Sequence, residues 1–173
     1  ISLDQSFFDL KSVEVLRGPQ GALYGQSSIG GAMNIITNQP VLEKFEALGD
    51  FTVGNYSLFR ERAAVNVPIG DKWAVRLSGQ KFDHDGFTKN VFNGQDLDDM
   101  NEGSLKGAVL FQPTDTFKAT LTGNYYTANQ NGDAQKNIVD PTPDPRRLSQ
   151  DYWQEYQMET KAFNLNMEWQ LPG

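Results

Sequence analysis

The chain has 173 residues, with 15 Lys+Arg against 22 Asp+Glu and a formal net charge of −7, so it is sized for one domain or parts of two and offers no cation cluster to displace counterions from phosphate. Nucleic acid is therefore not expected as a partner. With no cysteine and one histidine, the chain excludes disulfides and thiolate metal sites and leaves the usual nucleophile–base triads without material.

We accordingly assign no catalytic residue, no metal ligand and no cofactor, and the chain is not read as an enzyme. No segment reaches the roughly 20 apolar residues of a spanning helix. The longest apolar run is Ala108-Val109-Leu110-Phe111. Residues 1–10 (ISLDQSFFDL) carry two acids and no cleavage site, so they do not read as a signal peptide. The chain starts without Met, as if it were cut from within a longer protein. A β-barrel crosses a bilayer with short alternating strands, so a membrane location stays open.

In chain order, Val13 to Leu16 is β-prone, Gly18-Pro19 signals a turn, and Ala32 to Thr37 is a second β-prone run. Gly21, Gly25, Gly30 and Gly31 between them permit positive φ or close backbone approach. They match neither phosphate-binding glycine pattern, so compact turns are the reading preferred. Asn38-Gln39-Pro40 marks a linker, because Pro40 cannot donate to a ladder and holds Gln39 extended. The expected domains are residues 1–40 and 41–173.

Beyond the linker come about six alternating segments, each with one apolar and one polar face. They are Phe45–Val53, Phe59–Ile69, Trp73–Gln80, Leu105–Gln112, Phe117–Tyr125 and Phe163–Trp169. A soluble sheet with one wet face alternates in the same way. Three features favour a membrane barrel. Most segments run to about ten residues, longer than the five or six common in soluble domains. Phe45, Trp73, Phe111, Phe117 and Trp169 gather near one kind of strand end, as an interfacial girdle would. Tight connections at 67–72 and 112–116, with a third beginning at Leu171-Pro172-Gly173, alternate with long polar loops at about Asp83–Glu102 and Asn129–Gln157. The hairpin at Gly54-Asn55-Tyr56-Ser57 is the one short connection on the long-loop side.

The run VEVLRGPQGALYG followed by IGGAMNIIT, preceded by Phe8-Asp9-Leu10, resembles the C-terminal part of the plug domain of TonB-dependent outer-membrane receptors. The resemblance rests on Glu14, Arg17, Gly18, Pro19, Gly21, Tyr24, Gly25, Gly30, Gly31 and Asn34, and spans about residues 7 to 40. The expected fold is all-β, or α+β: the end of a plug, then about six antiparallel strands of an incomplete barrel of about 22 in all. The resemblance implies a Gram-negative outer-membrane location. It implies uptake of a scarce nutrient such as a ferric siderophore, energised by TonB of the TonB–ExbB–ExbD complex. It also implies that Glu14 and Arg17 join a charged lock with barrel glutamates on later strands. The TonB box would lie before Ile1. The partners implied are TonB, outer-membrane lipid and a small-molecule substrate.

Within the long loops, Asp83-His84-Asp85 and Asp96-Leu97-Asp98-Asp99, with Glu102, could hold a divalent cation. Without EF-hand spacing they read better as a solvated loop. Tyr152, Trp153 and Tyr156 could stack on a sugar or an aromatic chelate, or sit at the membrane interface. The rival functions are a passive porin, against which the plug-like residues 13–37 argue, and a soluble β-sheet ligand-binding module.

Overall fold

The computed structural model describes residues 8–18 and 31–171. The chain divides into two compact units, Ile1–Gln39 and Pro40–Gly173.

In the first unit, β1 (Leu10–Arg17) pairs antiparallel with β2 (Gly31–Thr37). Val13, Val15, Ile35 and Ile36 supply the β-branched residues that suit a pleated surface. The pair is closed at its base by Asp9 and Asn38. Asn38 N–H donates to the Asp9 carbonyl at 2.9 Å, and its side-chain amide donates to Asp9 Oδ1 at 2.8 Å and the Leu10 carbonyl at 3.3 Å. Asp9 is buried and sits at φ +57°, a conformation that aspartate tolerates better than most residues. Pro19, Gly21, Tyr24, Gly25 and Gly30 lie outside the described residues, as does the turn at Pro172-Gly173.

The second unit contains, in order, β3 (Glu46–Val53), β4 (Phe59–Ile69), β5 (Trp73–His84), β6 (Thr88–Asn90), β7 (Asp96–Leu97), β8 (Met100–Thr114), β9 (Phe117–Gln130), β10 (Arg147–Leu148) and β11 (Tyr156–Trp169). The six long strands form one sheet, β3-β4-β5-β8-β9-β11, each antiparallel to the next. These are the six segments expected from alternation, and no helix occurs among the described residues. The all-β alternative therefore holds over α+β.

Register partitions the side chains. One row across the sheet runs Val67, Val75, Val109, Leu121, Leu165, and the next runs Val65, Leu77, Gly107, Gly123, Phe163. The neighbouring parity carries Asn66, Arg76, Ala108, Thr122 and Asn164. The sheet is inverted relative to a soluble one. On the apolar face Phe163 is 81% exposed and Leu105 57%, whereas on the polar face Asn66 is 0% exposed and Arg76 5%. From Phe117 to Tyr125 the apolar band rises roughly 27 Å along the strand, or about 21 Å after a tilt of ~40°, close to the ~25 Å apolar belt of a membrane barrel. At the tight-turn end it finishes in aromatics: Trp73 stacks on Phe111 at 4.2 Å, and Phe117 meets Trp169 edge-on at 6.3 Å.

The strands run further toward the long-loop end than alternation suggests. β5 reaches His84, β8 starts at Met100, β9 reaches Gln130 and β11 starts at Tyr156. These extensions carry polar residues on both faces, so the apolar pattern fades while the backbone ladder continues. Hydrogen bonding needs no apolar side chain, and so alternation marks the band rather than the strand.

Candidate functional site

The long-loop end of the sheet is where the structure builds something the sequence does not announce. The loops 85–99 and 131–155 fold together into a three-stranded sheet, β10-β6-β7, in which β10 runs parallel to β6. Leu97 and Leu148 are its apolar centre, at 0% and 1% exposed. Polar side chains do the rest of the joining. Asn90, almost fully buried, donates its amide to the Gln150 carbonyl at 3.0 Å, and its Oδ1 accepts from Gln150 N–H at 3.1 Å and Phe92 N–H at 3.1 Å. Gln95 accepts from Gln154 N–H at 3.1 Å and donates to the Gln154 carbonyl and to Asn131 Oδ1. A carboxamide both donates and accepts, so it can stand in for a peptide unit between loops.

The acidic residues of the first loop have a definite task. Asp98 Oδ1 accepts the Ala134 N–H at 2.7 Å, its Oδ2 accepts the Thr88 hydroxyl at 2.5 Å, and Asp99 Oδ1 accepts the Asn131 N–H at 2.6 Å. Asp98 and Asp99 are thus loop-joining acceptors rather than a solvated face. Among the described residues, no group of three or more His, Cys, Asp or Glu is placed to hold a metal. In the second loop, Asp140 is held below its ordinary pKa of 3.8. The Thr142 hydroxyl is the main cause, followed by the Ser149 and Thr142 N–H groups and the charge of Lys136. Asp140 thereby organises the Pro-rich stretch.

A chain of cations and rings links this cap to the polar face of the sheet. Arg60 lies over Phe82 at 6.0 Å, Phe82 meets His84 at 5.6 Å, His84 stacks on Phe87 at 6.0 Å and Phe87 meets Tyr56 at 5.9 Å. Arg146 covers the Tyr56 ring at 5.8 Å and donates to its hydroxyl. Tyr56 and Ser57 form a turn with both residues at positive φ, +59° and +54°, which is costly without glycine. Asp85 supports that turn: its N–H donates to the Tyr56 carbonyl at 2.8 Å, and its carboxylate accepts from the Ser57 hydroxyl at 2.5 Å. Sequence reasoning missed this chain. Tyr56 and Arg146 are 90 positions apart, and nothing local signals their meeting.

The sequence-stated candidates fall in three places. Tyr152 and Trp153 are exposed in the second loop, at 49% and 64%, and Tyr156 opens β11 opposite Gln130 with its hydroxyl on the Met158 sulfur at 2.9 Å. They are not part of the Arg60-to-Arg146 chain. Glu14 pairs across the hairpin with Asn34, whose amide donates to Glu14 Oε2 at 3.1 Å. Arg17 sits opposite Gly31 and, three residues from Glu14 on one strand, points to the other face. Gly18 and Gly31 both have positive φ, +84° and +134°, and a Cβ at Gly31 would collide with the Leu16 carbonyl. A groove of about 780 Å³ over the row Gly49, Ala63 and Gly79, rimmed by Glu61 and Lys81, opens on the apolar face and not in the cap.

Residues 3–32 match the family described as TonB-dependent Receptor Plug Domain. The fold is similar to that of the ferric yersiniabactin uptake receptor FyuA from Yersinia pestis, with TM-score 0.80 and 24% identity over 94% of this chain. It is also similar to the FpvAI–pyocin S2 complex (TM-score 0.75, 18% identity, 91% of this chain). A third likeness is to the ferripyoverdine receptor of the outer membrane of Pseudomonas aeruginosa bound to ferripyoverdine (0.70, 18%, 90%). The chain spans 26%, 22% and 21% of those chains. The plug-family match is confined to residues 3–32, and over most of its length the fold of this chain is similar to that of these receptors.

Proposed function

We propose that this chain is part of an outer-membrane active transporter that binds and imports a scarce nutrient, a ferric siderophore or a similar chelate, with energy transmitted by TonB. One observation carries the reading: the sheet that follows the plug-family segment is inside-out, with an exposed apolar band of membrane height and a polar face on which Asn66, Arg76, Ser78 and Glu102 are buried. A soluble ligand-binding module would leave that band in water, well beyond the few hundred Å² that monomers expose.

In this reading residues 1–40 are the end of the plug and 41–173 the first strands of the barrel, in lipid of the Gram-negative outer membrane. The tight turns face the periplasm and the cap faces outward. Glu14 and Arg17 belong to a charged lock with later strands. Gly18, Pro19, Gly21, Tyr24, Gly25, Gly30, Gly31 and Asn34 belong to the plug's structural motif. Tyr152, Trp153 and Tyr156 are candidate contacts for an aromatic chelate at the cell surface. The role is transport rather than catalysis.

The test is uptake of radiolabelled ferric chelates by cells carrying the full-length protein as their sole such receptor. Accumulation should be abolished by a protonophore and by loss of TonB. Chelate entry that survives both treatments would support a passive porin instead. An Arg17→Ala change should lower uptake; unchanged uptake and unchanged plug stability would remove the lock.

A further inference from the structure

Two asparagines bracket the junction between the units. On one side Asn38 is fixed by three hydrogen bonds to Asp9 and Leu10, at 2.9, 2.8 and 3.3 Å. On the other, Asn66 of β4 is 0% exposed and uses its whole side chain on the chain that follows the junction. Its Oδ1 accepts the Val41 N–H at 3.0 Å, and its amide donates to the Val41 carbonyl at 2.9 Å and the Lys44 carbonyl at 2.7 Å. Only an uncharged carboxamide can do this. Aspartate lacks the donors, and an apolar residue lacks both functions. Burying such a group without partners is costly, so the contact is held.

What remains between the clamps is Gln39 and Pro40. Pro40 has its φ fixed near −65° by its ring and biases Gln39 to extended backbone. The Gln39 side chain folds back to Thr37, to its carbonyl at 3.3 Å and its hydroxyl at 3.5 Å. We infer that Asn38 and Asn66 are positioning residues that confine the joint between the two units to Gln39–Pro40. The free link is then about 7 Å long when extended; without the Asn66 clamp it would run to the start of β3 and reach about 25 Å. The role in transport rests on the transporter reading above: a pull on the plug would be delivered to a short, stiff joint and not dissipated in slack chain.

The test is amide exchange on the full-length receptor in detergent, with no substrate or TonB present. In the native protein the Asn38 and Val41 amides should both exchange slowly. Asn66→Leu should raise the Val41 rate at least tenfold and leave the Asn38 rate unchanged. Inserting two glycines after Gln39 leaves both clamps in place and should leave both rates at their native values, even where Asn66→Leu folds poorly. A faster Val41 or Asn38 amide after the insertion, or an unchanged Val41 rate in a folded Asn66→Leu barrel, would overturn the inference. Because amide exchange does not need transport, failure of energised uptake would sink the transporter reading and leave the joint standing.

Discussion

The wall of six long strands and the small cap above it are held by different means. In the wall the backbone ladder is continuous, and side chains decide only which face meets which medium. In the cap the ladders are two or three residues long, and Asn90, Gln95, Asp98 and Asp99 replace the missing backbone bonds. A wall of this kind tolerates polar changes on its polar face and is disturbed by charge on its apolar one. A cap of this kind fails when one carboxamide is lost. Its two leucines are too little core to hold two loops together alone.

The largest effect that would sharpen this contrast is on the apolar face. Leu121, between Val109 and Leu165 in the middle of the band, should cost about 2–4 kcal/mol as Leu121→Arg. Thr122→Arg, one residue along on the polar face, should cost far less. Urea-dependent folding of the full-length barrel into vesicles measures both, and equal costs would break the assignment of faces.

Next is Asn90→Ala, which strands the Gln150 carbonyl and two N–H groups within the cap and should cost about 1–3 kcal/mol locally. Amide exchange should rise at Phe92 and Gln150 and stay unchanged at Leu121 and Val109. A rise throughout β8 and β9 would mean that cap and wall are one cooperative unit.

Smaller still is Arg62→Ala. Arg62 grips Asp50 across the wall with Nε at 2.8 and 3.0 Å and a terminal nitrogen at 2.7 Å, but both are partly exposed, so roughly 0.2–1 kcal/mol is expected by the same urea measurement. The smallest effect is acid loosening of the Pro-rich stretch. Asp140 has a depressed pKa, so its contribution is complete above 3.8 and disappears as pH falls through the lower folded value. Limited pepsin cleavage between residues 136 and 149 should accelerate over that range, and Asp140→Asn should flatten the dependence.

The six wall strands and their faces were readable because alternation repeats at each step and a one-residue slip would turn an apolar row into the polar face. The girdle was readable for the same reason: Trp73, Phe111, Phe117 and Trp169 share parity and strand end. The cap was not readable. β6, β7 and β10 are too short for any periodicity, and the β10–β6 pairing joins segments about 60 positions apart. The aspartates looked like a solvated or cation-binding cluster because composition cannot tell an acceptor facing water from one facing a backbone N–H. Asn66 gave no signal either, as one polar residue on a polar face.

The sequence alone determined the plug signature, the strand meander and which face of the sheet is apolar, since each rests on local spacing or period-two patterning. Only the tertiary structure decided the interlocked loops, the ring-and-cation chain from Arg60 to Arg146, and the two clamps around Gln39–Pro40. Those depend on single polar atoms meeting across long sequence separations. A hydrogen bond of that kind is specified by where the backbone brings its partners, and not by any pattern along the chain.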